Sequence, residues 1–347
     1  MLLAVAPLIA GCSNFSYYLR SVDGQMSLLQ KRQPIAQVLT DPATPPALKS
    51  RLERALTIRD FASRELKLPD NKSYRSYADL QRPFVVWNVF ATAEFSIKPE
   101  QWCFLIAGCV GYRGYFTQAR ANDFARELRD RGLDVFVGGV PAYSTLGWFN
   151  DPVLNTFVNY PEYELARLLF HELAHQLVYV KGDSEFNESF AAAVETEGVR
   201  RWIARNGDDR MRANFERAQQ RRAQFKYLVL KYRERLAVLY RLPIAPEEMR
   251  VRKTQAFSDM QRDYELLKLQ WGGFAGYDRF FNNAGNAHLA SVAIYHALVP
   301  QFQQLLAKHN GDLAAFYAEV KELAALGKEE RKSRLAAAVA PAHKEPL

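Results

Sequence analysis

An α+β fold, mainly helical with a small mixed β-sheet just before a close pair of helices, follows from three features of this 347-residue sequence. Aromatic and β-branched residues crowd residues 84–90, 102–107 and 133–137, the composition of strands. Runs with apolar residues at helical spacing flank that stretch on both sides. One of them, with Leu165, Leu168, Leu169, Leu173 and Leu177, is followed almost at once by a second helix. So short a connection forces the two to pack antiparallel. A hydrophobic content of 48% is ample for a substantial core. No run of apolar residues is long enough to cross a membrane as a helix.

In chain order, residues 17–39 and 45–66 read as amphipathic helices. Asp41-Pro42-Ala43-Thr44-Pro45-Pro46 separates them, with Thr44 as a cap and Pro45 in the first turn. Residues 67–81 are polar and read as loop. The strands at 84–90 and 102–107 follow, then a helix over 117–131 that stops at Gly132, a strand at 133–137 and a short strand at 143–146. The second helix of the central pair spans 185–201. Gly182 offers a left-handed cap to the first, and Asp183 or Ser184 can cap the second. Beyond it the chain is nearly all helical, over 208–242, 247–269, 288–307 and 311–326. Residues 271–285 interrupt this with Gly272, Gly273, Gly276 and Asn282-Asn283, a composition that often shapes a pocket, and Asn283 is a candidate substrate contact. Residues 328–347 read as a loose tail. The domain division is amino-terminal helices over 13–81, a core with the sheet and helix pair over 82–206, and a helical part over 207–327 that completes a cleft.

The chemistry concentrates in Phe170-His171-Glu172-Leu173-Ala174-His175-Gln176. Residues i and i+4 share one face of a helix, so both imidazoles can reach one cation. Zinc suits them, since it takes nitrogen and carboxylate ligands and tolerates an open position. Glu172 is placed to face a metal-bound water as general base. A third ligand must come from the next helix. At about 1.5 Å per residue, Glu188 comes nearly level with His175, and Glu195 with His171. Rise alone leaves both open.

His171 to Gln176, followed by Asn187-Glu188-Ser189-Phe190-Ala191 and Val194-Glu195, resembles the aminopeptidase-N type of zinc peptidases, within the gluzincin group that includes thermolysin. The resemblance implies a zincin-like fold with His171, His175 and Glu188 on one Zn²⁺ per chain, and leaves Glu195 to orient His171. Ser189 stands where that family has glycine, and only residues 176–187 separate His175 from Glu188. No Gly-Ala-Met-Glu-Asn segment is present. Over most of its length the chain is also similar to a bacterial family of predicted aminopeptidases described as lipoproteins. Gly111-Tyr112-Arg113-Gly114-Tyr115-Phe116, Ala142-Tyr143-Ser144-Thr145-Leu146-Gly147-Trp148-Phe149 and Phe186-Asn187-Glu188-Ser189-Phe190-Ala191 carry that likeness.

In gluzincins an edge strand above the zinc helix pairs with extended peptide. Residues 142–147 are the candidate edge here, with Tyr143, Ser144 and Thr145 as substrate contacts. Arg113, among Tyr112, Tyr115 and Phe116, can clamp a carboxylate or serve as a stacked structural arginine. The relatives take a tyrosine or histidine from downstream to stabilise the oxyanion. The candidates are Tyr277, Tyr295, His288 and His296.

Residues 1–10 are apolar and lead into Leu8-Ile9-Ala10-Gly11-Cys12, which resembles a lipobox. That implies a lipoprotein signal over 1–12, lipidation of Cys12 and attachment to the bacterial envelope. Ser13 is similar to the outer-membrane sorting choice, facing the periplasm. Cys103 and Cys109 are then a disulfide or two buried thiols. The net charge of +8 gathers in residues 210–241, with Arg221, Arg222, Lys226, Lys231, Arg233 and Arg235. Export argues against nucleic acid as partner, and the run reads as a solvated face with some attraction to acidic envelope surfaces. The expected activity is zinc-dependent hydrolysis of peptides or unfolded segments, as an aminopeptidase, with cell-wall peptides as another substrate class. A zinc-stabilised binding or assembly factor is the alternative.

Overall fold

The computed structural model describes residues 17, 21–104, 108–293 and 298–338. Its elements, in order, begin with helix α1 (21–30), strand β1 (Gln33–Pro34) and helices α2 (Ile35–Thr40) and α3 (Pro46–Arg64). The helix expected over 17–39 therefore breaks, because Pro34 has no N–H and sits extended before α2. Strand β2 (Ser76–Ala78) lies inside the segment expected to be loop. It pairs antiparallel with β1 and parallel with β8 (Val153–Leu154), partners too distant in sequence for local pattern to announce.

A second sheet has the order β6–β3–β7, from β3 (Val86–Thr92), β6 (Arg113–Tyr115) and β7 (Asp134–Val140), all antiparallel. The strand expected over 102–107 is instead the hairpin β4 (Trp102–Phe104) and β5 (Gly108–Val110), closed by a Cys103–Cys109 disulfide. Helix α4 (Gln118–Asp130) ends at Gly132 in the left-handed region, as expected, and its Ala121, Ala125 and Leu128 pack on Trp87 and Val89 of the sheet. Helix α10 (Asn286–Ala293) also packs on β3 and β7.

Residues 143–146 run irregularly into a turn centred on Leu146 and Gly147, closed by Trp148 N–H on Thr145 O at 3.0 Å, rather than forming the expected strand. The Thr145 N–H and hydroxyl both donate to Asp151, Leu146 N–H donates to Ser144 Oγ, and Leu146 and Gly147 take positive φ. Positive φ at Leu146 and Gly147 takes the end of residues 142–147 out of the extended conformation that pairing with a peptide needs.

Helix α5 (Glu162–Leu177) packs most extensively against α6 (Ser184–Asn206) and then α3. The three share the main core, where Phe61 meets Trp202 edge-on at 5.1 Å. Gly198 is required by close approach, because a Cβ there would lie 2.6 Å from the buried Phe170 ring. The long helices α7 (Asp209–Leu239) and α8 (Pro246–Gln270) form an antiparallel hairpin. With α9 (Asp278–Phe281) and α10 they enclose a second core around Tyr264, Phe281 and Leu289.

Helices α11 (Val299–Lys308), α12 (Leu313–Ala324) and α13 (Lys328–Ala338) return to the main core. Residues 328–338, expected as part of a loose tail, are helical because Arg331 and Leu335 are buried against the rest of the molecule. The chain is thus α+β and mainly helical, in agreement with the sequence.

Candidate metal centre

Helix α5 starts at Pro161, with Glu162 and Glu164 in a first turn where acids complement the helix dipole. It ends at Leu177, five residues earlier than a cap at Gly182 would allow, and Val178 to Val180 run on before the turn. Asn187 fixes that connection. Its amide donates to Val180 O and accepts from Val180 N–H, each at 2.8 Å. Asp183 caps α6 by accepting from Phe186 N–H, and Arg331 of α13 holds the Asp183 carboxylate at 2.9 Å. Glu188 is therefore carried by a helix whose first turn is tied down on three sides.

The consequence is a convergence of His171, His175 and Glu188, whose donor atoms lie within 4.8 Å of one another. The two Nε2 atoms are 3.1 Å apart, His171 Nε2 is 3.3 Å from Glu188 Oε2, and His175 Nε2 is 3.7 Å from Glu188 Oε1. A tetrahedron with bonds near 2.0–2.1 Å has edges of about 3.3 Å. The Glu188 carboxylate turns one oxygen to each imidazole and the three separations lie near that length, so the donor set suits a cation of about zinc's size. The pKa values of the two imidazoles shift in opposite directions. Burial would lower His171, but the carboxylates of Glu188 and Glu195 outweigh it and raise its pKa well above the ordinary range. Burial holds His175 down at about 4.

Glu195 stands where the height argument put it, with Oε2 accepting from His171 Nδ1 at 2.9 Å. Such a partner fixes the tautomer and leaves Nε2 as the ligand atom. Burial would raise the Glu195 pKa, yet Arg167 and His171 hold it at about 2. Arg167 donates to Glu195 at 3.0 Å and to Glu164 at 2.8 Å, and Arg222 of α7 donates to Glu164 at 2.5 Å. This chain of charges, invisible in the motif, runs from the candidate ligand to the basic helix.

Burial pushes the Glu172 carboxyl up to about 7. Two groups that sequence reasoning missed share its surroundings. Tyr74 is pushed well above its usual range by burial, then by Asp151 and Glu172, and its hydroxyl has no hydrogen-bond partner among the described residues. Asp151, only 5% exposed, is raised to about 6 because burial outweighs its two bonds from Thr145.

The folded protein therefore keeps the Asp151 proton between about pH 3.8 and 6, where the unfolded chain has released it. That stabilisation is full below 3.8 and lost as pH rises through about 6, a change on the order of 3 kcal/mol. Denaturant unfolding of metal-free protein from pH 4 to 7 is expected to show this slope, and Asp151→Asn to flatten it. Equal slopes in the two proteins would remove the assignment.

Tyr112 and Tyr179 were missed as well. Burial raises both phenols, and the Glu188 carboxylate raises each further, so both hydroxyls lie in the field of the candidate ligand. Tyr112 belongs to the Gly-Tyr-Arg-Gly segment, but 75 residues separate it from Glu188 and no spacing rule links them.

Other expected site residues are placed elsewhere. Arg113 stacks on Tyr17 at 4.2 Å and Phe124 at 4.9 Å, the structural alternative rather than the carboxylate clamp. Tyr143 donates to Gln25 and meets Phe116 edge-on. Ser144 and Thr145 are spent on the turn described above. Tyr277 stacks on Phe225 at 4.2 Å, and burial raises its phenol, with Arg222, Glu164 and Arg167 the next influences on it. His288 lies 4.0 Å from the Phe136 ring and accepts from Gly285 N–H. Asn283 is exposed on the turn after α9. Tyr295, His296 and Cys12 lie outside the described residues.

The fold is α+β and the site is a candidate metal centre. The chain belongs to the family described as "Putative aminopeptidase", whose model matches residues 16–335. An aminopeptidase, as that description has it, would act on peptides. No curated protein and no solved structure matched the chain.

Proposed function

We propose that this protein is a zinc-dependent, gluzincin-like metallopeptidase of the bacterial envelope, acting as an aminopeptidase. The observation that carries the reading is the convergence of His171, His175 and Glu188, with donor atoms within 4.8 Å of one another and both imidazoles facing the carboxylate. Membership of an aminopeptidase family supports the reaction class.

His171, His175 and Glu188 would hold the ion, with Glu195 and Arg167 keeping the first ring in register. Bound zinc supplies Lewis acidity and an acidified water. Glu172 accepts the proton from the attacking water and returns it to the leaving amine. Its pKa of about 7, set by burial, suits a group that must do both near neutrality. Tyr112 is a further candidate donor to the developing oxyanion, beside Tyr295 and His296. The pairing of the helix pair with small mixed sheets is read as zincin-like. Export and attachment through Cys12 rest on the Leu8-Ile9-Ala10-Gly11-Cys12 order.

Purified protein is expected to contain near-stoichiometric zinc by mass spectrometry. It should release amino-terminal residues from a peptide library, with loss on chelation and recovery on adding zinc. Internal cuts would make it an endopeptidase. Bound zinc without any cleavage would favour the binding or assembly factor.

A further inference from the structure

Eleven large apolar side chains are exposed among the described residues, and six belong to the α7–α8 hairpin: Tyr227, Val238, Leu242, Val251, Leu266 and Leu269. Three of them are strongly exposed, at 72% for Tyr227, 68% for Val251 and 74% for Leu269. Their positions are ordered. At 100° per residue, Tyr227, Lys231, Arg235 and Val238 fall on one stripe of α7 about 80° wide. Val251, Gln255, Asp259, Arg262, Leu266 and Leu269 fall on a stripe of α8 that is also about 80° wide.

Both stripes face the same side. Lys231 pairs with Asp263 and Arg235 with Asp259 across the hairpin, each at 2.8 Å. Arg235, Val238 and Leu242 from one arm and Arg252 and Gln255 from the other line a shallow cleft of about 280 Å³. The α8 stripe alone runs about 27 Å from Val251 to Leu269.

The charge on this hairpin selects what can cover it. Residues 209–270 carry fifteen Lys and Arg against eight Asp and Glu, so they hold most of the chain's net charge of +8. The acids near the face are already satisfied: Asp259 and Asp263 by the pairs above, and Glu248 by Arg252 at 2.5 Å. Two such hairpins face to face would repel, whereas an anionic bilayer attracts. Arginine and lysine stems beside the apolar side chains can lie along the hydrocarbon boundary with their charges at phosphate level.

We propose that the outer face of the α7–α8 hairpin is a docking surface for an anionic lipid bilayer, lying in the interfacial plane. Val238, Leu242, Val251, Leu266 and Leu269 enter below the headgroups, and Arg235, Arg252 and Arg262, which are 46%, 50% and 67% exposed while paired with Asp259 or Glu248, turn their remaining N–H groups to the phosphates. This surface is separate from any acyl anchor and does not depend on the peptidase reading.

Full-chain protein carrying Cys12→Ser, which cannot be acylated there, should float with vesicles of phosphatidylcholine plus phosphatidylglycerol. It should not float with phosphatidylcholine alone, and bound protein should fall as salt rises. The combined substitutions Val251→Ser, Leu266→Ser and Leu269→Ser, all at exposed positions, should weaken binding at least about tenfold while circular dichroism stays unchanged. Failure to float with anionic vesicles would overturn the proposal. So would undiminished floating of the triple variant, which would mean charge alone. A dimer in sedimentation that the triple variant dissociates would assign the face to a second copy of the chain instead.

Discussion

Glu172→Gln is expected to keep the metal and lose peptide hydrolysis, with kcat lower by about 10²–10⁴-fold. The substitution preserves shape and removes only the ability to take and return a proton. Glu172 has no part in the converging donor set, which is His171, His175 and Glu188, so zinc content should match the parent. Burial keeps the carboxyl at about 7, and the neighbouring Glu188 and Asp151 push the same way against the pull of His171. An amide needs no ionisation in that setting, so the variant should be at least as stable as the parent. His171→Ala makes the contrast. It removes one of the three converging donors and the ring that Glu195 holds, so both zinc and turnover should go. Equal turnover by Glu172→Gln and the parent, with zinc present in both, would end the role assigned to this residue.

What the sequence disclosed depended on how local the cause was. His171 and His175 are one helical turn apart, so helix geometry alone brings them together. Glu195 was legible at the height of His171 because an antiparallel pair with a short turn fixes relative rise. The choice of Glu188 as third ligand needed the family pattern, since rise permits either glutamate. Helix α4 and its stop at Gly132 were legible because the left-handed cap is local. The failures have distant causes. The turn at 143–146 exists because Asp151 captures Thr145, and β2 exists because β1 and β8 flank it. Arg113 is claimed by Tyr17 and Phe124, and Tyr112 feels Glu188 only once the chain has folded. Aromatic crowding at 102–107 signalled strand but hid a hairpin, because its cysteines pair across it. The charged segment after Gly327 read as a loose tail, yet one of its arginines, Arg331, is buried against Asp183.

That arginine carries the second large effect. Arg331→Met is expected to destabilise the protein by about 3–5 kcal/mol, because it strands a buried carboxylate. The side chains of Arg331 and Asp183 are 5% and 8% exposed and meet at 2.9 Å. Arg331 also donates to the Ala324 and Leu326 carbonyls, which close α12, and its guanidinium lies 5.1 Å from the Phe186 ring. Asp183 does two jobs, since the carboxylate held by Arg331 also caps α6. Asparagine can still cap a helix without bringing a charge into the core. Asp183→Asn combined with Arg331→Met should therefore recover much of the stability that Arg331→Met loses, in denaturant titrations of metal-free protein. If the double variant is as unstable as the sum of the two single ones, the penalty lies in lost packing and not in the stranded charge. The pair matters for the site because Asp183 opens the helix that carries Glu188 five residues later. Loosening that first turn should let the carboxylate drift from the two imidazoles. Zinc retention at limiting metal should accordingly fall in Arg331→Met and return in the double variant, although neither residue is among the three converging donors.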